Sequence, residues 1–436
     1  MKIKEQYNED DEYISEKSKS NQRFVKISFL IFGIGGLLSW NAILSDINFF
    51  INFLPRMDPP VYFPFLNFFL NIIFQFILLF QPKFMTYKKQ LLISVMGSAI
   101  SLILLPLFVI LLKRDSDINV IITGIMILLQ GLLNAVCQSS FFGLVSYFPI
   151  DMIVSMSTGQ GVAGILMNTI QYLVLFFIGD TSLKNTQEEN DSIVKKGGII
   201  FFSISVIIIL ICFLFIILVY RNNYFRKQLL LSGEYGKVKK NEAENLILKE
   251  DDQYKYNKPR QISFLELTKL LLDVNILTTV LYLITFSLFP GVCLKFKLYS
   301  LTGGFSSNTI VSLYNIFDTI GRSIVSYFQP TKLLIYIVVL SRIILLFILP
   351  LNYYFECNNY DINFTSTILV ISVILIAITN GFGSSLLFGI APTLVPDFIK
   401  GKAGSSISFY LMIGIFLGTC SGIFMGHFLQ FIKGIK

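Results

Sequence analysis

Eleven apolar stretches follow one another along this chain, at about 25–47, 60–81, 90–112, 118–140, 154–178, 198–220, 274–294, 306–328, 331–351, 365–391 and 404–432, each bounded by charge, proline or glycine. A hydrocarbon core takes about 20 apolar residues to cross, so the pattern dictates a polytopic membrane protein. Composition agrees: 54% of the 436 residues are hydrophobic and 14% charged, against roughly a quarter charged in a soluble domain. Lipid offers backbone polar groups no partner, and the sequence lacks the alternation of an outer-membrane barrel. Each stretch is therefore expected to be a helix, and the fold class all-α.

Lysine and arginine orient the helices. With the N-terminus in the cytoplasm, 24 of the 35 Lys and Arg fall in the tail and the loops on that side and ten on the other, Arg342 lying within a span. The C-terminus is then expected outside. The only two N-x-[ST] sequons, at Asn190 and Asn363, both fall in outer loops on this count and are the expected glycosylation sites. Residues 1–24 are polar, with no apolar region of a cleaved signal peptide, and read as a cytoplasmic tail. Residues 221–272 carry eleven Lys or Arg and seven Asp or Glu and read as a cytoplasmic linker. The linker separates a six-helix bundle (25–220) from a five-helix bundle (273–436). Two bundles joined in this way suit a transporter whose halves rock around a central site.

Several functions drop out. The five cysteines have no paired spacing, and one histidine with no His/Cys/carboxylate cluster supports neither a metal site nor a catalytic centre. No phosphate-binding loop is present, so ATP is not the driver and no cofactor is expected. The net charge of +8 is largely a topology signal, which leaves no reason to expect a nucleic-acid partner.

The residues that cost most where they sit point to function. Asp318 and Arg322 lie one turn apart in the eighth span, on one helix face. Each charge alone costs several kcal/mol at that depth, so both should face a wet cavity or the bundle interior, paired. Trp40 and Asn41 combine a flat ring with an amide, as an aromatic solute would require. Gln130 both donates and accepts, the pairing that reads an adenine edge, and equally suits an interhelical hydrogen bond. Arg342 has no acid on its own helix. Asp46 reads as a solvated mouth residue and His427 as an interfacial one. Gly414, Gly418, Gly422 and Gly426 form a smooth ridge for close helix packing, and Pro290 in the seventh span marks a hinge or an unwound segment.

Taken together the segments resemble the equilibrative nucleoside transporter family. The first span carries Gly33-Ile34-Gly35-Gly36-Leu37-Leu38-Ser39-Trp40-Asn41, similar to that family's G-x-G-x-L-L-P-W-N with serine in place of proline. Gln130-Gly131, the run from Ser157 to Gly164, Phe289-Pro290-Gly291-Val292, Phe317-Asp318 with Gly321-Arg322-Ser323, Asn380-Gly381-Phe382, and Ala403-Gly404 with Gly414 and Gly418 follow in family order. After Arg342 the proline comes later, at Pro350, than in the family pattern. The resemblance implies facilitated movement of nucleosides or nucleobases, with purine nucleosides favoured, by alternating access in a major-facilitator-like architecture. It also implies roles: Trp40 packs on the base, Gln130 reads its edge, Asp318 and Arg322 hold polar groups of sugar or base, and Leu37, Leu44 and Ile415 form apolar walls. The competing readings are a nucleobase or proton-coupled purine permease and, from another class, a non-transporting receptor or scaffold. The expected location is a multi-pass position in a membrane, the plasma membrane before an internal one.

Overall fold

Backbone groups deprived of water must satisfy one another, and each apolar stretch is helical in the computed structural model, which describes residues 2–80, 85–178, 187–231, 263–296, 298–299, 304–328, 331–358 and 360–434. In chain order the helices are α1 (Lys2–Ser45), α2 (Ile47–Phe53), α3 (Pro59–Phe80), α4 (Tyr87–Leu111), α5 (Asp117–Val145), α6 (Ile150–Ile178), α7 (Gln187–Val219) and α8 (Asn223–Leu231). The second part of the chain continues with α9 (Phe264–Leu270), α10 (Leu272–Leu288), α11 (Gly304–Ile324), α12 (Lys332–Ser341), α13 (Leu345–Cys357), α14 (Ile362–Ile390) and α15 (Lys400–Gly434). No strand occurs among the described residues.

Ten segments are long and apolar enough to cross a membrane among the described residues, with α12 and α13 together making one of them. The helix of the eighth stretch, α11, is not among the ten. Its 21 residues carry Asn308, Asn315, Asp318 and Arg322, so it depends on protein neighbours to cover its polar face. Phe176, Phe177, Phe347 and Phe424 are exposed on the outer surfaces of their helices, as side chains facing lipid tails would be.

Two expectations about the connections change. The polar tail is not separate from the first span, because α1 runs unbroken from Lys2; residues 2–24 contain no Gly or Pro to stop a helix. The linker begins and ends in helix, α8 on one side and α9 on the other, the latter started by a capping box in which Ser263 and Glu266 cap one another. Its centre, 232–262, lies outside the described residues.

The early helices pack among themselves, α1 against α6 and α7, and α5 against α3 and α4. The later ones do likewise, α10 against α15 and α11 against α14. The two sets meet where α6 touches α11 and α14, and where α15 touches α5 and α3. Close contacts between the two sets include those on the face carrying the α5–α6 turn. There Ser405 Oγ donates to the Ser139 carbonyl at 3.1 Å, and the rings of Phe142 and Phe388 lie 4.3 Å apart. Gly414 and Gly418 of α15 lie against the carbonyls of Thr279 and Leu283 in α10, a spacing that leaves no room for a side chain. Pro290 stands just past the end of α10, in an unwound turn leading to a short 3-10 segment at Cys293–Lys295.

Candidate functional site

The four-residue step from Asp318 to Arg322 brings both side chains to one face of α11, where Arg322 Nε donates to Asp318 Oδ2 at 2.7 Å. The other carboxylate oxygen, Oδ1, accepts from Asn380 Nδ2 of α14, also at 2.7 Å. α14 comes this close because Gly381 rests on the Asp318 carbonyl, and Gly321 of α11 rests in turn on the Ile378 carbonyl. From the far side Arg322 Nη1 reaches α6, donating to the Ser157 carbonyl (3.3 Å), Ser157 Oγ (3.0 Å) and Gln160 Oε1 (3.2 Å). Ser157 Oγ lies 2.6 Å from Ser385 Oγ of α14. Arg322 thus serves its own helix and the opposite half of the chain at once.

Of the two surroundings expected for the pair, a wet cavity or the bundle interior, this conformation gives the second. Asp318 and Arg322 are each 5% exposed, closed over by α6 and α14. The desolvation cost of such a pair is offset in part by the hydrogen bonds it makes, which here link three helices.

Arg342 also joins this network. It sits at the join between α12 and α13, 1% exposed. It donates to the carbonyls of Leu281 (3.2 Å) and Ile376 (3.4 Å) and to Thr285 Oγ1 (2.5 Å). Thr285 Oγ1 lies 2.7 Å from Asn380 Oδ1, so a continuous polar path runs from Arg342 to Asp318. Tyr282, on α10, places its hydroxyl beside Arg322 and Ser384.

The other half of the candidate site belongs to α1 and α5. Trp40 is 7% exposed and packs against Phe68 of α3 at 5.1 Å. Phe68 meets Phe286 of α10 at 6.4 Å, and Phe286 meets Tyr282 at 6.5 Å. A line of rings therefore connects the indole with the surroundings of the ion pair, across the boundary between the two halves. Leu37, Asn41 and Leu44 are half-buried and share one stripe of α1, whose other faces pack on α5, α6 and α7; Ile415 of α15 is buried. Gln130 is fully buried: its Nε2 donates to Ser39 Oγ (2.7 Å) and Asn134 Oδ1 (3.2 Å), while its Oε1 has no partner. The serine standing where the family has proline thus takes part in an interhelical cluster, and α1 passes through it without a break.

Asp46 corrects the sequence reading. It is buried, not solvated, because α1 ends at Ser45 and the turn into α2 carries its carboxylate against α6, where Oδ1 accepts from Gln171 Nε2 at 3.0 Å and Oδ2 has no partner. His427 is exposed. Asn190 lies in the first turn of α7 and Asn363 in the first turn of α14, where its amide is capped by Asp361.

Asn380, Thr285, Ser157, Gln160 and Tyr282 carry no individual role legible in the sequence. The available signal was a polar side chain inside an apolar run, which lipid tolerates only when it is partnered. Many such residues occur here, and their partners lie on other helices.

The chain matches the family model described as "Nucleoside transporter" over residues 124–427. The Equilibrative nucleotide transporter 3 of Arabidopsis thaliana is 26% identical over 398 residues, covering 89% of this chain and 91% of that protein. The Equilibrative nucleoside transporter 3 of Rattus norvegicus is 27% identical over 162 residues, 34% of each chain. Among solved structures, the major-facilitator proton:xylose symporter XylE superposes with a TM-score of 0.62 at 13% identity, covering 95% of this chain and 96% of the other. At that identity the likeness concerns the fold alone, which is a major-facilitator-like helical one.

Proposed function

Because this chain belongs to the nucleoside transporter family, and is a multi-pass membrane transporter and not an enzyme, we propose that it moves purine nucleosides down their gradient by alternating access, binding them between its two halves. The observation that carries this reading is Arg322, a buried guanidinium that pairs with Asp318 on its own helix and hydrogen-bonds Ser157 and Gln160 on the other half. A ligand that draws on Asp318 and Arg322 changes what holds the halves together, so binding and rocking are coupled through shared donors and acceptors.

In this reading the base stacks on Trp40 and the Gln130 amide reads its edge. The sugar meets Asp318 and Arg322, and Leu37, Asn41, Leu44 and Ile415 wall the space. The conformation described is closed on the face of the α5–α6 turn. The arginine and lysine asymmetry supports a cytoplasmic placement of that face and an outside C-terminus, and the plasma membrane is the proposed site of action.

A proton-coupled mode of the same transport is favoured by one observation, the buried Asp46 with an unpartnered oxygen. Uptake of tritiated adenosine into proteoliposomes tests both readings. Saturable flux that Asp318→Ala abolishes supports nucleoside transport, and its absence in the wild type rejects it. Stimulation by an imposed pH gradient, lost in Asp46→Asn, selects proton coupling; an unchanged rate selects purely equilibrative exchange.

A further inference from the structure

We propose that Arg342, Thr285 and Asn380 form a one-way donor relay that orients Asp318 towards the sugar diol of a ribonucleoside, making Arg342 a positioning residue that acts without touching substrate. The proposal rests on the transport reading above and deepens it.

The direction of the relay follows from the chemistry of its two ends. A guanidinium only donates and an ionised carboxylate only accepts. Arg342 Nη2 donates to Thr285 Oγ1 at 2.5 Å, so the hydroxyl must turn its own hydrogen elsewhere. Two acceptors lie within reach, the Leu281 carbonyl at 2.8 Å and Asn380 Oδ1 at 2.7 Å. The Leu281 carbonyl already receives Arg342 Nη1 at 3.2 Å, whereas the hydroxyl is the one donor to the amide oxygen among the described residues. Asn380 then directs Nδ2 at Asp318 Oδ1, 2.7 Å away. Reversing the amide would set its oxygen against a carboxylate oxygen at that distance, two acceptors in contact, and would waste the hydroxyl. Both ends therefore impose the same polarity on every bond between them.

The consequence falls on Asp318. Each of its oxygens receives one donor, Asn380 on Oδ1 and Arg322 Nε on Oδ2, on different helices. A carboxylate offers about four lone-pair sites, so one on each oxygen is left for an incoming hydroxyl. Two adjacent hydroxyls on a ribose match two oxygens held in a fixed plane. A single hydroxyl, or none, leaves acceptors unserved in a dry site, and such a loss is where discrimination by hydrogen bonding is strongest. Thr285 and Arg342, buried at 0% and 1% exposure, would thus set sugar selectivity from behind the binding face.

The test compares adenosine with 2′,3′-dideoxyadenosine in proteoliposomes, normalised to reconstituted protein, using near-isosteric variants so that packing is kept. Thr285→Val removes the hydroxyl and Thr285→Ser restores it; Asn380→Asp replaces a donor by an acceptor. The relay predicts that Thr285→Val raises the adenosine KM by about tenfold, one hydrogen bond to a charged group, with little change for the dideoxy compound, and that Thr285→Ser behaves as wild type. It also predicts that Asn380→Asp makes uptake rise as pH falls beyond any rise in the wild type, because two facing carboxylates must share a proton. Equal losses for both nucleosides in Thr285→Val, no rescue by serine, or an Asn380→Asp no more pH-dependent than the wild type overturn the relay. A variant recovered in too little folded form is replaced by Arg342→Lys, which keeps the charge but cannot donate to Leu281, Ile376 and Thr285 in one plane; unchanged discrimination in that variant also overturns it. Saturable adenosine flux in the wild type establishes the transport reading independently of these comparisons.

Discussion

At the scale of single residues, the ion pair is informative because of what each partner still has to satisfy. Asp318 and Arg322 were legible in the sequence from their spacing and depth alone, since lipid leaves an i, i+4 pair few alternatives. Their partners were not. Asn380 is 62 residues from Asp318 and Ser157 is 165 from Arg322, and no local pattern announces either. A lysine in place of Arg322 tests whether shape or only charge matters. Arg322→Lys keeps the positive charge beside Asp318 but has no planar fork to hold Ser157 and Gln160 as well, so uptake should fall by about tenfold or more with the protein still folded. Circular dichroism together with initial uptake rates separates the two effects. Asp318→Ala should be more severe, because it leaves a buried guanidinium without its counter-charge, worth about 3–5 kcal/mol; a lowered melting temperature in detergent is expected along with lost uptake.

At the scale of helices, α11 shows how far an element can depart from lipid compatibility. It is too polar to be recognised among the ten membrane-capable segments, and it persists because α6 and α14 cover its polar face. Glycine makes that cover possible. A Cβ built at Gly381 would collide with the Asp318 carbonyl, and one at Gly161 would meet Thr319. Gly381→Val is therefore expected to force α11 and α14 apart, destabilising by about 1–3 kcal/mol as overpacking does and displacing Asn380 from Asp318. The predicted signature is a melting temperature lower by several degrees together with a raised adenosine KM. Gly198→Val, on α7 against the Phe49 ring of α2, should show the first effect without the second. The glycine ridge on α15 was visible in the sequence as a four-residue repeat. That its contact is α10 was not, because several helices could have presented a suitable groove.

At the scale of the whole molecule, the halves touch through α6 with α11 and α14, and through α15 with α3 and α5. If transport requires them to part on the face of the α5–α6 turn, a covalent tie there should stop it. Thr158 and Ser323 face each other across α6 and α11 with their hydroxyls 3.5 Å apart, and neither belongs to the ion pair. In a background lacking the natural cysteines, Thr158→Cys combined with Ser323→Cys should form a disulfide on mild oxidation, since the geometry brings the two side chains within bonding reach. Uptake should then disappear and return on reduction. A cross-linked protein that still transports would place the moving surfaces elsewhere.

What the sequence determined by itself was everything carried by hydrophobic length and period: a membrane protein built of helices, their approximate limits, and which polar residues were too costly to be incidental. Those properties are local, because a residue's need to escape lipid depends on its own stretch of chain. What only the tertiary structure decided was who answers that need. It brought Asn380 and Ser157 to the ion pair, tied Arg342 into the same network through Thr285, buried Asp46 at a helix break, and linked Trp40 to Tyr282 through two phenylalanines. Those pairings join residues far apart in the chain, and a hydrogen bond across helices is specified by packing, which no single segment encodes.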